Sequence, residues 1–168
     1  MSKMSVLAAI AALALVTAAA ADTPQPIALE PINHAEAELI IVRSDGTKQS
    51  YTPAELETLA TYRVRTTTPW RDEPADFDGV LLSDLLAQSG LHLEDAIKVI
   101  AENEFSTIMP RALWETVPVL IATRVDGRAH TRRERGPIQV VIDMDDYTAS
   151  PIAGEKHLVW MVARIEAE

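Results

Sequence analysis

Cysteine is absent from the 168 residues, which excludes disulfides and any protein thiolate as nucleophile or soft metal ligand. Stability must therefore come from packing. Histidine is sparse, and His34, His92, His130 and His157 are scattered without ligand spacing, so no zinc site is expected. There is no glycine-rich phosphate loop, no G-x-S-x-G and no H-E-x-x-H, and nothing arranges the Ser, His and Asp residues into a triad. Positive charge is also scarce. Fifteen cations face 25 acids, a net charge of −10, which argues against nucleic acid and anionic membrane surfaces as partners.

What is present begins with an export signal. Lys3 precedes the apolar run Val6 to Val16, and Ala19 and Ala21 satisfy the small-x-small rule, so cleavage is expected after Ala21. The run is too short and alanine-rich to cross a hydrocarbon layer of roughly 30 Å comfortably. Removing residues 1–21 leaves 14 cations against 25 acids, a net charge of −11. Residues 22–37, with Pro24, Pro26 and Pro31, read as an extended lead-in, and residues 38–168 as one domain.

Within that domain, ELIIVR (Glu38 to Arg43) reads as a strand and Ser44 to Thr47 as a hairpin turn into Lys48 to Tyr51. Thr52-Pro53-Ala54-Glu55 is a capping box that starts a short amphipathic helix, and Thr61 to Thr66 alternates as a strand does. VLLSDLLAQS (Val80 to Ser89) repeats leucine at helical spacing, with Gly90 as its stop. Strands are expected at Ala96 to Ala101, Val117 to Val125, Ile138 to Ile142 and His157 to Ile165, with one helical turn at Pro110 to Glu115. The sum is an α+β domain of mixed strands and short helices. Three stretches read as long loops, where chemistry is sought first: Thr66 to Gly79, Glu102 to Arg111 and Arg128 to Pro137.

The loops carry the candidate binding groups. Trp70 sits among Pro69, Arg71, Asp72, Glu73 and Pro74, which form no apolar face; it is either a core residue or a platform for a planar ring. Five of the eleven arginines (Arg124, Arg128, Arg132, Arg133 and Arg135) fall in one stretch, with Glu134 among them. They read either as charges guarding a sheet edge or as a guanidinium cluster for an acceptor-rich ligand. Glu102, Asn103, Glu104 and Phe105 follow a buried strand and offer carboxylates, an amide and an aromatic ring. The DMDD run from Asp143 reads as solvated surface.

Taken in order, TTTPW, DFDGVLLSDLLAQSGL, IKVIAENEFSTIMP, VPVLIATRVDGR, GPIQVVID and the late Trp160 resemble the small exported members of the sulfite-oxidase-like molybdopterin-binding family. The resemblance covers roughly Ile40 to Ile165 and implies that family's α+β fold, with a mixed sheet, short helices and long binding loops. In the enzymes of the family, a cysteine in the loop after the strand matching Tyr62 to Thr66 ligates molybdenum. Here that loop is TTTPW, and no metal is expected. Cysteine-less relatives of this kind include periplasmic pterin-binding proteins that relay pterin levels to a membrane enzyme making or degrading cyclic di-GMP. The resemblance thus implies a periplasmic protein, a pterin as ligand, and the periplasmic domain of a membrane diguanylate cyclase or phosphodiesterase as partner. The alternative is a small molybdopterin-dependent oxidoreductase subunit. Within the matched loops, Trp70 and Phe105 would stack on the ring and Glu102, Asn103 and Glu104 would meet its donor edge. Arg132, Arg133 and Arg135 would meet its acceptors, and Thr67 and Thr68 would add hydroxyl bonds.

Overall fold

The computed structural model describes residues 24–168; the expected signal peptide, its cleavage site at Ala21 and the first two lead-in residues lie outside them. Along the chain run β1 (Gln25–Ile27), β2 (Leu39–Val42), β3 (Lys48–Tyr51), α1 (Pro53–Leu56), β4 (Thr61–Thr68) and β5 (Arg71–Leu81). Next come α2 (Leu82–Ser89), β6 (Ala96–Ala101), β7 (Ser106–Pro110), α3 (Arg111–Thr116) and β8 (Val119–Val125). The chain closes with β9 (Arg128–Ala129), β10 (Gln139–Ile142), α4 (Met144–Ala149) and β11 (Val162–Ala167). The result is α+β: two sheets and a few short helices.

The first sheet has the order β1-β4-β5-β8-β10, with β9 also on β8; the second has the order β3-β2-β11-β6-β7. All pairs are antiparallel except β11 with β2, which makes the second sheet mixed. β8 is the centre of the packing. Its seven residues are all buried, and side chains alternate between two faces until a register shift against β5 around Thr123 changes the alternation. Val119 and Ile121 join the large core with Leu39, Ile41, Leu82, Leu85, Val99 and Ile165, while Leu120, Ala122 and Val125 join a smaller cluster with Val64 and Phe77. A strand covered on both faces reads as a continuous apolar run, which is how VLIATRV appears.

Local chemistry sets the element ends. Thr52 Oγ1 accepts from Glu55 N while Glu55 Oε2 accepts from Thr52 N, the reciprocal capping box expected from TPAE. Gly90 ends α2 in the left-handed region at φ 78°, where a side chain would be strained. Asp45 Oδ1 accepts from Thr47 N and closes the β2–β3 turn. Among the described residues no helix is long and apolar enough to cross a membrane.

Several expectations need correction. Thr66 to Gly79 is mostly hairpin rather than loop: β4 and β5 pair from Thr61↔Val80 to Thr68↔Arg71, with only Pro69 and Trp70 at the turn. The acidic run is half of a charge ladder. Arg63 lies opposite Asp78 and Arg65 opposite Asp76, and each pair closes with a 2.7 Å bond. Pro74 is tolerated because it precedes Phe77, the first β5 residue with a second neighbour in β8. In Glu102 to Arg111 only the first four residues are loop, since β7 and the start of α3 occupy Ser106 onward. The expected C-terminal strand begins later, at Val162; Glu155–His157 is a 3-10 turn and Trp160 forms an isolated bridge to Gln139. DMDD starts α4 instead of lying free: Asp143 is buried, and its Oδ1 accepts from Asp145 N and Asp146 N.

Candidate functional site

Trp70 sits at the β4–β5 turn, where two turn residues must leave the sheet and one of them is an indole. Its backbone N donates to Thr68 Oγ1 at 3.4 Å. The side chain is half-buried: it packs against the edge of the large core and keeps one region open. Trp70 is neither wholly core nor wholly exposed. It anchors to the core and walls a cleft.

That cleft measures about 420 Å³ and is lined by Trp70, Ala101, Asn103, Phe105, Glu155, Lys156, Leu158 and Trp160. Three aromatic rings border it, and two of them, Phe105 and Trp160, stay substantially exposed. Trp70 and Trp160 lie with centroids 6.2 Å apart and planes inclined at 44°. Exposed rings around a concave space suit a flat partner, because each ring face still has a water layer to exchange for stacking. Asn103 Oδ1 accepts from Phe105 N at 3.2 Å, a turn bond that fixes the amide beside the ring.

A second, smaller cleft of about 170 Å³ shares Trp70 as a wall. It is polar, bounded by Thr68, Arg71, Phe77, His130, Arg133, Glu134, Arg135 and Gln139. Arg135 links the two spaces. Its guanidinium carbon lies 5.0 Å from the Trp70 ring centroid and 5.4 Å from that of Trp160, within cation–π range of both. Gly136 is the reason this turn closes so tightly, for a Cβ there would come within 2.6 Å of His130 Cγ.

The predicted site residues divide into groups. Trp70, Asn103 and Phe105 share the aromatic cleft; Thr68, Arg133 and Arg135 share the polar one with Trp70. Arg132 and Glu102 instead meet each other, with Nε to Oε2 at 3.0 Å and a second nitrogen to Oε1 at 2.7 Å. Thr67 and Glu104 line neither cleft. The arginine stretch also disperses. Arg124 is buried and paired with Glu57 at 2.9 and 2.5 Å, and Arg128 pairs with Glu134 at 3.4 Å. Sequence reasoning missed Trp160 as a cleft residue because HLVWMVARI was read as one strand, and missed Glu155 and Lys156 because they lie just before that run, outside the three expected loops. A tryptophan within a run expected to be half-buried gave no sign that the chain leaves the sheet there.

No family model matches this chain, and no curated protein does. Solved structures do. The sulfane dehydrogenase SoxCD from Paracoccus pantotrophus matches with a TM-score of 0.59 at 16% identity, over 83% of this chain and 40% of that one. This chain therefore spans well under half the length of that structure. The likeness concerns the fold.

Proposed function

We propose that the chain is an exported, non-catalytic pterin-binding protein of the periplasm, and that the aromatic cleft holds the ring. The observation that carries this reading is the placement of Trp70, Phe105, Trp160 and Asn103 around one open cleft of about 420 Å³, a size suited to a small heterocycle. A pterin has two flat faces for the indoles and a hydrogen-bonding edge for an amide. The resemblance of the loop series to molybdopterin-binding domains supports a pterin over other planar rings, and the likeness of fold to a sulfane dehydrogenase is compatible with it.

The residues fit the ring and not a protein-ligated metal. TTTPW supplies hydroxyls where the resemblance would place a thiolate, and among the described residues no three His, Cys, Asp or Glu side chains gather as a metal site. Binding without turnover suits a relay, in which the loaded protein engages the periplasmic part of a membrane enzyme of cyclic di-GMP metabolism. Calorimetric titration with a tetrahydropterin tests the ring site. Micromolar binding, near −8 kcal/mol, is expected, and Trp70→Ala should weaken it by about 1–3 kcal/mol, as loss of base stacking does elsewhere. Unchanged affinity in that variant removes the stacking role.

A second reading is favoured by the fold likeness alone: a small molybdopterin-dependent oxidoreductase subunit, with the metal held through the pterin's own dithiolene. Stoichiometric molybdenum in protein purified from its native host would select it.

A further inference from the structure

Among the described residues, four that are not glycine adopt the left-handed backbone. Three of them sit in the turns that wall the ring cleft: Glu104 at φ 67°, Arg135 at φ 76° and Met161 at φ 52°. Such conformations are uncommon for residues with a side chain and gather where a site needs them. Glu104 lies in the tight turn closed by Glu104 N to Ala101 O, and Arg135 ends a 3-10 turn. Met161 belongs to no turn of that kind. It is a single left-handed step between the bridge residue Trp160 and the first residue of β11.

That step joins the two sheets. Trp160 bridges Gln139 of β10 in the first sheet, and Val162 opens β11 opposite Ala101 of β6 in the second. Met161 uses its backbone in both directions: its N donates to Arg135 O at 3.1 Å, and its O accepts from Glu102 N at 2.8 Å. Val140 N to Val159 O and Val162 N to Ile138 O hold the flanking residues, so the step between them is over-determined. The ring cleft spans the same gap. Trp70 comes from the β4–β5 turn of the first sheet, and Asn103 and Phe105 from the β6–β7 turn of the second. The Met161 side chain itself lines neither cleft.

We propose that Met161 is a positioning residue of the ring cleft: held left-handed, its peptide groups fasten the Arg135 turn to the Glu102 turn and so set the gap the ring enters. The part played in ring binding rests on the pterin reading above. Arg135 lies against the indoles of Trp70 and Trp160, and Glu102 opens the turn that carries Asn103 and Phe105. With the joint fixed, Trp160 stands 6.2 Å from Trp70 before a ligand arrives, which spares the ring the cost of ordering its walls. Because the role belongs to the backbone, glycine can take it and a residue confined to negative φ cannot.

Circular dichroism reads the joint without any ligand, since two indoles this close couple and give a paired band, which Trp160→Phe identifies by removing it. Met161→Gly should keep that band and bind 6-methyltetrahydropterin within about twofold of the parent. Met161→Pro fixes φ at about −65° and deletes the N–H, so it should lose the band and at least roughly tenfold in ring affinity. Should that variant not fold, Met161→Val, whose branched side chain opposes positive φ, takes its place with the same expected losses. Hydrogen exchange on the unaltered chain requires no variant: the Met161 and Glu102 amides should be protected as the Val140 amide of β10 is. An intact band and full affinity in Met161→Pro or its replacement overturns the positioning role, as does rapid exchange of both amides. Loss of the band in Met161→Gly overturns it equally, for the side chain would then be what matters. A lost band with unchanged ring affinity overturns the link to binding. If the parent binds no tetrahydropterin, the proposed function falls, while the band and the exchange still decide Met161.

Discussion

Arg124 and Arg135 come from the same arginine-rich stretch and end in opposite circumstances. Arg124 is sealed in the fold, its side chain 5% exposed, with both Glu57 oxygens on its nitrogens and a further bond to Glu30 O. Thr123 Oγ1 also donates to Glu57, at 2.6 Å, and His34 comes within 3.2 Å of it without hydrogen-bond geometry. Arg135 has no carboxylate among the described residues and lies against two indoles beside two clefts. A buried guanidinium with all its partners belongs to the scaffold. One that lines a cleft with no carboxylate partner among the described residues is left open to other contacts. Sequence composition cannot separate them, because the partners come from distant strands and loops.

The largest expected effect lies on the scaffold side. Arg124→Ala leaves Glu57 charged, buried and unpaired, so denaturant unfolding should show a loss of about 3–5 kcal/mol. The same pair predicts a pH dependence. Burial pushes the Glu57 pKa up, but the bonds from Arg124 and Thr123 and the nearby His34 outweigh it and hold the carboxyl below its ordinary 4.5. A depressed folded pKa stabilises above the ordinary value and loses that contribution as pH falls through the lower one. Unfolding midpoints should therefore drop below about pH 4.5, and less steeply in Glu57→Gln; equal slopes would mean the pair does not govern acid stability.

Asp78→Asn should cost less. Asp78 is fully buried, but its partner Arg63 is partly solvated and retains Asp76 at 3.5 Å. A loss of about 1–3 kcal/mol is expected in the same unfolding assay, the range for a hydrogen bond to a charged group. Arg132→Ala should change least. The Arg132–Glu102 pair is bidentate but exposed, and solvent screening makes such pairs worth little. Its unfolding midpoint should match the parent. A clear drop would place Arg132 with Arg124 and blur the contrast between paired scaffold and open site.

Parts of this were legible in the sequence because they depend on neighbours along the chain. TPAE caps a helix through atoms three residues apart, Gly90 stops α2 by its own backbone freedom, and AIKVIA and VLIATRV are apolar enough to be strands anywhere. The loops misled because acids and a proline look irregular when their partners are unseen. RDEPADFDG is a strand only because YRVR lies opposite in a register that sets Arg63 on Asp78. Of the candidate site, Trp70, Asn103 and Phe105 were readable as an indole, an amide and a ring in turns. Trp160 was not, since its turn out of the second sheet follows from its bridge to Gln139 across the molecule.

By itself, then, the sequence determined the chemistry available: no thiol, few histidines, and an aromatic and an amide in turns between strands. Only the tertiary structure decided which arginines are spent on carboxylates and which are left beside a cleft. That choice depends on where residues far apart in the chain meet, and Coulomb attraction and hydrogen bonding act over a few ångströms of space rather than along the sequence.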